Sequence, residues 1–271
     1  MLLKGKNAIV TGAARGIGRG IALKLADEGV NLALVDLGKP GDPALTYSLA
    51  AQADLNDTVA EVRGCGVKSV AILSDVTSSD DCTRMAKEAV AALGGIDILV
   101  NNAGIIALGL VDDFAEEAWD RVMAVNAKGP FLCAKACIPH LRKNREGAIV
   151  NIASIAGKTG QPGASAYCAS KFAVIALTQA LAAELGASNI RVSAVCPGFL
   201  RTAMFNDVIN KVMVRGYGVA EDRVFDAHVE HGTFLRREQT PSDIGEAVVY
   251  LCRADNVTGV TLTVAGGAEL H

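Results

Sequence analysis

Tyr167 and Lys171 are the residues of this 271-residue sequence whose types and spacing best suit proton transfer. A spacing of four on a helix puts both side chains on one face. Free tyrosine has a pKa of about 10, too high for a base at neutral pH, and a neighbouring ammonium group lowers it by favouring the phenolate. The hydroxyl of the preceding Ser154 could hold a carbonyl or alcohol oxygen against this phenol. Because Tyr-x-x-x-Lys alone is common on helix surfaces, this indication of acid–base chemistry depends on the rest of the chain.

A glycine-rich loop near the N-terminus indicates a second function. Residues 11–18 read Thr-Gly-Ala-Ala-Arg-Gly-Ile-Gly, after a predicted strand and at the start of a predicted helix. Its glycines allow a tight turn and let backbone N–H groups and the helix N-terminus approach a pyrophosphate. Asp36 ends the next predicted strand, where a carboxylate can accept hydrogen bonds from both hydroxyls of an adenosine ribose. Together these features predict dinucleotide binding.

Two charged residues bear on which dinucleotide binds. Asp36 would repel a 2′-phosphate and therefore favours NAD. Arg15, within the glycine loop, argues for NADP because a guanidinium could pair with that phosphate. Asp36 lies closer to the hydroxyls and its repulsion would be poorly screened, so we predict NAD rather than NADP. Arg15 is otherwise interpreted as a solvated side chain or a partner for Asp36.

Further polar residues follow predicted strands. The run Asn101-Asn102-Ala103-Gly104 is either a simple turn or a place where small residues and amides let the backbone pack on a cofactor. Asp75, after the third strand, could accept a hydrogen bond from the adenine amino group. Asn126 lies inside a long predicted helix, where asparagine is a poor helix former. It is either an ordinary exposed residue or one that holds a water near an active site.

Strands and helices alternate along the whole chain. Strands are predicted at 6–12, 31–36, 68–74, 96–101, 147–153, 190–196 and 259–264, and helices at 16–28, 50–64, 79–92, 116–144, 166–186 and 241–253. This alternation predicts parallel βαβ units in a doubly wound α/β sheet with helices on both faces. Without a linker or repeat, residues 1–271 are predicted to form one domain. Two long stretches, 37–49 and 201–239, interrupt the alternation of strands and helices, and long loops of this kind commonly have a function.

Composition narrows the partners and the compartment. Apolar residues make up 51% of the chain and aromatic residues only 4%, which is typical of buried parallel strands. The net charge of −3 offers no basic patch for nucleic acid or anionic membranes. No signal-peptide layout or membrane-spanning apolar run is found, and seven cysteines without paired spacing suggest reduced thiols in the cytoplasm. Cys133 and Cys137 share a helical face, but no further ligand completes a set, so no metal is predicted.

Jointly, the motifs resemble the short-chain dehydrogenase/reductase family, in the branch with a Thr-Gly-x-x-x-Gly-x-Gly loop. The likeness covers essentially the whole chain, and these residues carry it in order: Thr11–Gly18, Asn101–Gly104, Asn126, Ser154, Tyr167, Lys171 and Pro197-Gly198. The resemblance implies a seven-stranded Rossmann sheet and a catalytic tetrad of Asn126, Ser154, Tyr167 and Lys171. It also implies a homotetramer in which helices 116–144 and 166–186 pack across an interface.

The resemblance further implies roles for these residues. Tyr167 exchanges a proton with the substrate oxygen, which Ser154 orients, while a hydride moves between substrate and nicotinamide. Lys171 lowers the pKa of Tyr167 and bonds the nicotinamide ribose, and Asn126 holds a water that links Lys171 to solvent. The predicted cofactor-binding residues are Gly12, Arg15, Gly16, Ile17, Gly18, Asp36, Asp75, Val76, Asn102, Ala103, Gly104, Tyr167, Lys171, Pro197, Gly198 and Thr202.

Two segments bear on the substrate. Residues 37–58, which contain Tyr47-Ser48-Leu49-Ala50, are similar to an insert of carveol-dehydrogenase-like members, where it covers the adenosine end of a tightly held NAD. The sequence Gly16-Ile17-Gly18 and a shorter segment after Thr202 depart from those members, and a solvated loop is the alternative. Residues 202–239 correspond in position to the substrate lid of the family. The first residues of this segment, with Met204 and Phe205, are similar to those of diol and polyol dehydrogenases.

The lid segment is predicted to be mobile. Its apolar residues either close over a small or mostly apolar substrate or pack on the body of the protein; they are Met204, Phe205, Val208, Met213 and Phe225.

Three functions follow from these observations. The first is NAD-dependent interconversion of a secondary alcohol and a ketone, with a small diol, polyol or cyclic alcohol as substrate. The second is NADPH-dependent reduction of a 3-oxoacyl thioester on an acyl carrier protein, which would need a basic residue where Asp36 stands. The third is a catalytically silent NAD-binding regulator, which the complete tetrad opposes.

Overall fold

A seven-stranded parallel sheet forms the centre of the protein, as the alternating pattern predicted. The computed structural model describes residues 1–206 and 220–269. The strands are β1 Asn7–Thr11, β2 Asn31–Asp36, β3 Ser69–Leu73, β4 Ile98–Asn101, β5 Gly147–Ile152, β6 Ile190–Pro197 and β7 Thr261–Val264. Their order is β3-β2-β1-β4-β5-β6-β7, and every pair is parallel. The predicted doubly wound α/β fold is confirmed.

Helices cover both faces of this sheet. In chain order, the described helices are α1 Gly16–Asp27, α2 Gln52–Gly64, α3 Ser79–Leu93, α4 Glu116–Met123, α5 Gly129–Lys143, α6 Ser165–Leu185, α7 Val224–Gly232 and α8 Pro241–Arg253. Helices α1, α2 and α8 share one hydrophobic core, and α3, α5 and α6 share the other. In β1, Ala8 and Val10 point into the first core and Ile9 into the second. Apolar residues are therefore needed at consecutive strand positions, which explains the uninterrupted apolar runs.

The predicted helix over 116–144 is not continuous. Helix α4 ends at Met123, residues Ala124–Lys128 form a π-helical turn, and α5 begins at Gly129. Pro130 has no N–H with which to bond the carbonyl of Asn126, so the regular ladder cannot pass this point. Turns of this kind occur frequently at functional sites, and this one contains Asn126.

Helix α6 is a core helix in spite of its apolar composition. Residues 165–188 are long enough to cross a membrane and contain an 18-residue window with a mean hydropathy of 1.3. The helix nevertheless packs along β6, and it buries the polar side chains of Lys171 and Thr178. Such polar groups need hydrogen-bond partners, and these are supplied by the Ile152 carbonyl for Lys171 and by Asn151 for Thr178.

Candidate active site

A cleft of about 740 Å³ lies at the carboxyl edge of the sheet. It is centred where the chain switches direction between β1 and β4, the place where open α/β sheets bind ligands. All the predicted cofactor-binding residues, together with Ser154, line this cleft. Asn126 is the one predicted site residue behind the wall, with 1% of its surface exposed.

The glycine loop is packed so closely that side chains are excluded. A Cβ on Gly12 would lie 2.8 Å from the Ala103 Cα, and one on Gly18 would lie 2.0 Å from the Gly12 carbonyl oxygen. Gly12 and Gly16 also have φ values of +63° and +57°, which favour glycine. Helix α1 starts at Gly16 without a side-chain cap, so its first N–H groups are available to an anion in the cleft.

Asp36 is held at the end of β2 by backbone donors. Its Oδ2 accepts from Ala14 N at 3.1 Å, and its Oδ1 accepts from Leu37 N at 2.8 Å. Burial raises the pKa of this carboxyl group, and the backbone donors and the charge of Arg15 oppose that rise. Arg15 Nη2 itself donates to the Ser48 carbonyl at 2.5 Å. The arginine is therefore turned toward the insert, while its charge acts on Asp36 as the interpretation of a partner for Asp36 implies.

The loops after β1 and β4 are joined by Asn102. Its Nδ2 donates to the carbonyl oxygens of Thr11 and Gly12, both at 2.9 Å. The Thr11 hydroxyl accepts from the N–H groups of Asn102 and Ala103 at 3.0 and 3.1 Å. These hydrogen bonds hold residues 11–18, which we call the glycine cradle, against the loop after β4. Asp75 also lines the cleft, and its Oδ1 accepts from the N–H and hydroxyl of Thr77.

Ser154, Tyr167 and Lys171 meet at the other end of the cleft. Ser154 caps a short turn, Ile155–Gly157, by accepting a hydrogen bond from Ala156 N at 3.1 Å, and its hydroxyl also lowers the pKa of the Tyr167 phenol. Lys171 Nζ lies 5.6 Å from the centre of the Tyr167 ring and donates to the Ile152 carbonyl at 2.9 Å. A Cβ on Gly157 would come within 2.8 Å of the Lys171 carbonyl oxygen, so this glycine lets the serine turn pack on α6.

The pKa values of the pair differ from the sequence expectation. Burial raises the pKa of Tyr167 to about 12, against the opposing hydrogen bond of Ser154. Burial lowers the pKa of Lys171 to about 8. The expected lowering of the Tyr167 pKa by Lys171 is therefore not provided by the protein groups alone. The physical reason is that desolvation disfavours the phenolate and the ammonium alike, and Nζ is directed to a carbonyl.

Asn126 connects the β4 loop to the helix that carries Tyr167. Its Oδ1 accepts from Ile105 N at 2.8 Å, and its Nδ2 donates to the Ile105 carbonyl at 2.8 Å and to Ser170 Oγ at 3.0 Å. The Ser170 hydroxyl in turn donates to the Tyr167 carbonyl at 2.7 Å. The asparagine is thus a buried structural link, and its role in holding a water stays a prediction.

Apolar side chains dominate the cleft around Ser154 and Tyr167. Ile105, Ile106, Leu108, Ala156, Phe199, Met204 and Phe205 line it. Phe205 also stacks edge-on against Phe225 with ring centres 4.7 Å apart, and these two residues are buried in one cluster with Val229. Val208 and Met213 belong to residues 207–219 of the predicted lid, which lie outside the described residues, and the mobility of the lid stays a prediction.

Two polar residues of this wall, His228 and Tyr47, were not among the predicted site residues. His228, on α7, lies with its ring centre 4.0 Å from that of Phe199, and burial lowers its pKa. Its spacing of three from Phe225 was the available signal, because it puts both on one helix face. Tyr47 reaches the wall from the insert, which lies against the cleft at Tyr47, Leu49 and Ala50 and is not a solvated loop.

The cationic groups that line the described part of the cleft each have a protein partner. Arg121 Nε lies 2.7 Å from Asp42 Oδ2, and Arg201 Nη2 lies 2.6 Å from Asp226 Oδ1. Arg15 and Lys171 donate to backbone carbonyls. None of these cations is therefore held ready for a phosphate or carboxylate on a substrate.

Comparison with known proteins decides the family. The sequence model of the family described as short chain dehydrogenase matches residues 6–212 of this chain. The chain belongs to the short-chain dehydrogenase family. This dehydrogenase is 38% identical over 265 residues to the 3-oxoacyl-[acyl-carrier-protein] reductase FabG of Staphylococcus epidermidis, which covers 97% of this chain and 98% of the relative. The family resemblance inferred from the motifs is confirmed.

Two solved structures are similar over nearly their whole length. Carveol dehydrogenase from Mycobacterium avium, in complex with NAD, superposes with a TM-score of 0.93 at 30% identity, covering 98% of each chain. An NAD⁺-bound xylitol dehydrogenase superposes with a TM-score of 0.88 at 33% identity, covering 98% of this chain and 100% of the other. The short-chain dehydrogenase is therefore an oxidoreductase by family.

Proposed function

We propose that this protein transfers a hydride between NAD and a small neutral secondary alcohol or its ketone. The observation that carries the proposal is the single cleft that has the glycine cradle and Asp36 at one end and Ser154, Tyr167 and Lys171 at the other. The cradle suits a dinucleotide, because Gly12 and Gly18 leave no space for a side chain where a pyrophosphate must approach the backbone.

A bound nicotinamide ring supplies the hydride acceptor in alcohol oxidation, and its positive charge favours the phenolate of Tyr167. Ser154 orients the substrate oxygen through its hydroxyl, which lines the cleft together with Tyr167. Tyr167 takes the proton of that oxygen during oxidation and returns it during reduction. Lys171 would bond the nicotinamide ribose and pass protons onward, and Asn126 holds the turn of Tyr167 through Ser170.

NAD is proposed over NADP because of the environment of Asp36. Its carboxylate is oriented by Ala14 N and Leu37 N at the end of β2, where a 2′-phosphate would meet a buried negative charge. Arg15, the residue that could offset that charge, donates to Ser48. The complexes of carveol dehydrogenase and xylitol dehydrogenase with NAD support the same choice.

A small neutral substrate is proposed because of the cleft walls. They are mainly apolar near Ser154, and the described cations are engaged by Asp42, by Asp226 or by backbone carbonyls. A diol, polyol or cyclic alcohol is compatible with such a pocket, and an anionic substrate would find no ready partner.

Reduction of a 3-oxoacyl thioester on an acyl carrier protein is the second candidate. It is favoured by the 38% identity to the staphylococcal reductase of that name. The chemistry at Ser154 and Tyr167 would be the same in the reductive direction. The two candidates differ in their cofactor. They also differ in the substrate, which is a small neutral alcohol or ketone in the first and a thioester attached to a carrier protein in the second.

A substrate and cofactor panel separates these candidates. Secondary monoalcohols, vicinal diols, polyols, cyclic alcohols and a 3-oxoacyl thioester would be assayed with NAD(H) and NADP(H). We expect kcat/KM to favour NAD with an alcohol, and Asp36→Ala to narrow the preference for NAD over NADP. Asp80→Ala, which removes an exposed carboxylate on α3, is the control and should leave the preference unchanged. A wild type that prefers NADPH and the thioester would replace the first candidate by the second.

A further inference from the structure

The segment that follows β6 runs along the cleft from its catalytic end to the glycine cradle. We refer to residues 198–202 as the β6 loop. Because β6 pairs in parallel with β5, the β6 loop begins beside Ser154, which follows β5. At the other end of the loop, Thr202 Cγ2 would lie 3.8 Å from a Cβ built on Gly16. All five residues of the loop line the cleft. A dinucleotide that extends from the cradle to Ser154 would therefore pass along this loop.

Gln239, which lies just before α8, holds the β6 loop from behind the cleft wall. Its Oε1 accepts a hydrogen bond from Phe199 N at 2.8 Å, and its own N–H donates to the Phe199 carbonyl at 3.1 Å. Its Nε2 donates to the Arg237 carbonyl at 3.1 Å, so both ends of the side-chain amide have partners. Gln239 is only 6% exposed and does not itself line the cleft. Both backbone polar groups of Phe199 are thus bonded to this one residue.

The fit around the Gln239 amide leaves little freedom. A Cβ on Gly198 would lie 2.6 Å from Gln239 Oε1 and 2.8 Å from Ala265 Cα. The Gly198 N–H donates to the Val264 carbonyl at 3.0 Å, which fixes the start of the loop on β7. The absence of a side chain at Gly198 therefore lets the amide reach Phe199. Without the glutamine, the partly buried N–H of Phe199 would lose its acceptor, which is unfavourable.

We propose that Gln239 is a positioning residue for the nicotinamide half of the cofactor, and that it acts through the backbone of Phe199. Hydride transfer requires the nicotinamide ring beside the substrate carbon, whose oxygen is bound by Ser154 and Tyr167 in the proposed reaction. The β6 loop, which begins beside Ser154, forms a wall of that ring site, and its two hydrogen bonds to Gln239 determine where the wall lies. Residues that contact a ligand need support of this kind to hold a productive geometry. The inference rests on the proposed NAD-dependent function.

The test compares the binding of NAD with that of ADP-ribose, which lacks the nicotinamide ring, by calorimetry. Gln239→Met removes the acceptor at nearly constant volume, and Gln239→Asn is a milder second variant whose amide is too short to reach Phe199 N. In both variants we expect the ratio of the Kd for NAD to the Kd for ADP-ribose to rise roughly 3- to 10-fold, as for loss of one neutral hydrogen bond. Any weakening that the two ligands share cancels in this ratio. The fluorescence of bound NADH, which comes from the reduced nicotinamide, should shift toward that of free NADH.

Thr258→Val is the matched control. Thr258 Oγ1 accepts from Val192 N at 3.0 Å, so it also serves a backbone N–H of β6, but near the amino end of the strand and outside the cleft lining. This variant should leave the ratio and the fluorescence at the wild-type values. Equal weakening of both ligands in the Gln239 variants, or no change in either, would overturn the inference while NAD binding by wild type stands. Wild type that binds neither ligand would overturn the proposed function, and this inference with it.

Discussion

At neutral pH the buried Tyr167 is a neutral phenol with a pKa of about 12, and Lys171, with a pKa of about 8, is mostly protonated. In the proposed reaction, the phenol is ready to give a proton in ketone reduction. Alcohol oxidation requires the phenolate, whose formation depends on positive charge nearby. The pH dependence of the proposed reaction is therefore determined by residues whose charges burial opposes.

Removal of the Tyr167 hydroxyl should abolish turnover and spare cofactor binding. We expect Tyr167→Phe to lower kcat by roughly 10²–10⁴, the usual effect of losing a general acid–base group. Affinity for NAD, measured by calorimetry, should stay within a few-fold because the glycine cradle and Asp36 are untouched. Tyr250→Phe, at a half-exposed tyrosine on α8, is the control and should behave like wild type. Most of the activity remaining in Tyr167→Phe would refute the assignment.

Burial of Lys171 should make the free energy of unfolding depend on pH. Its pKa is about 8 in the folded protein and about 10.5 when unfolded, so between these values the unfolded chain binds more protons. Stability from this group is thus complete above pH 10.5 and is lost as pH falls through 8. Relative to Lys171→Met, wild type should gain about 2 kcal/mol in unfolding free energy from pH 8 to pH 10.

Urea unfolding at a fixed protein concentration would measure this difference. Lys135→Met, at an exposed position of α5, should follow the wild-type pH dependence. If wild type and Lys171→Met change in parallel between pH 8 and pH 10, the lysine is not desolvated as the structure indicates.

Among the elements, α1 and α8 make one of the closest contacts of the fold, and two glycines permit it. A Cβ on Gly20 would lie 2.4 Å from Pro241 Cβ and 2.7 Å from the Pro241 carbonyl carbon. A Cβ on Gly245 of α8 would lie 2.6 Å from Lys24 Cγ. Because α1 begins at the glycine cradle, the distance between α1 and α8 also determines where the N-terminus of α1 lies.

Gly20→Ala should therefore destabilise the protein. Overpacking of this kind typically costs 1–3 kcal/mol, and about that loss is expected in urea unfolding. Gly64→Ala is the matched control, because a Cβ there meets nothing within 4 Å at the end of α2. It should be neutral or slightly stabilising through helix propensity. Equal stability of the two variants would show that α1 and α8 can move apart without cost.

For the molecule as a whole, large apolar side chains remain exposed on neighbouring helices. Phe131 of α5 is 47% exposed and Phe172 of α6 is 46% exposed, and Trp119 of α4 is 38% exposed. These are the helices that the family resemblance implies at an interface. Clusters of exposed apolar groups commonly mark association sites.

We expect wild type to be a tetramer and the double variant Phe131→Asp/Phe172→Asp to form smaller species. Light scattering after size-exclusion chromatography would measure the mass. Leu2→Asp changes an even more exposed apolar residue at the N-terminus and should leave the mass unchanged. A monomeric wild type would contradict the tetramer, and an unaltered mass of the double variant would place the interface elsewhere.

The features that could be predicted from sequence are those whose information is local. Gly12, Asp36 and Tyr167 were predicted from strand ends, glycine loops and helical spacing, which are properties of short stretches, and the structure places all three on the cleft wall. The helix break at Asn126 was missed although Pro130 is the cause, because an apolar pattern can continue through a π turn. His228 and Tyr47 were missed because each reaches the cleft only through distant segments, such as the contact of residue 47 with residue 106.

By itself, the sequence determined the parallel sheet and the edge at which its loops meet, and it predicted the residues of the tetrad. Strand periodicity and loop chemistry depend on neighbouring residues, and parallel strands bring their carboxyl ends to one edge. Only the tertiary structure decided that Arg15 turns to Ser48, that Tyr47 enters the substrate wall, and that burial raises the pKa of Tyr167 while lowering that of Lys171. Desolvation and long-range hydrogen bonds depend on what surrounds a group in space, which residue type and spacing do not specify.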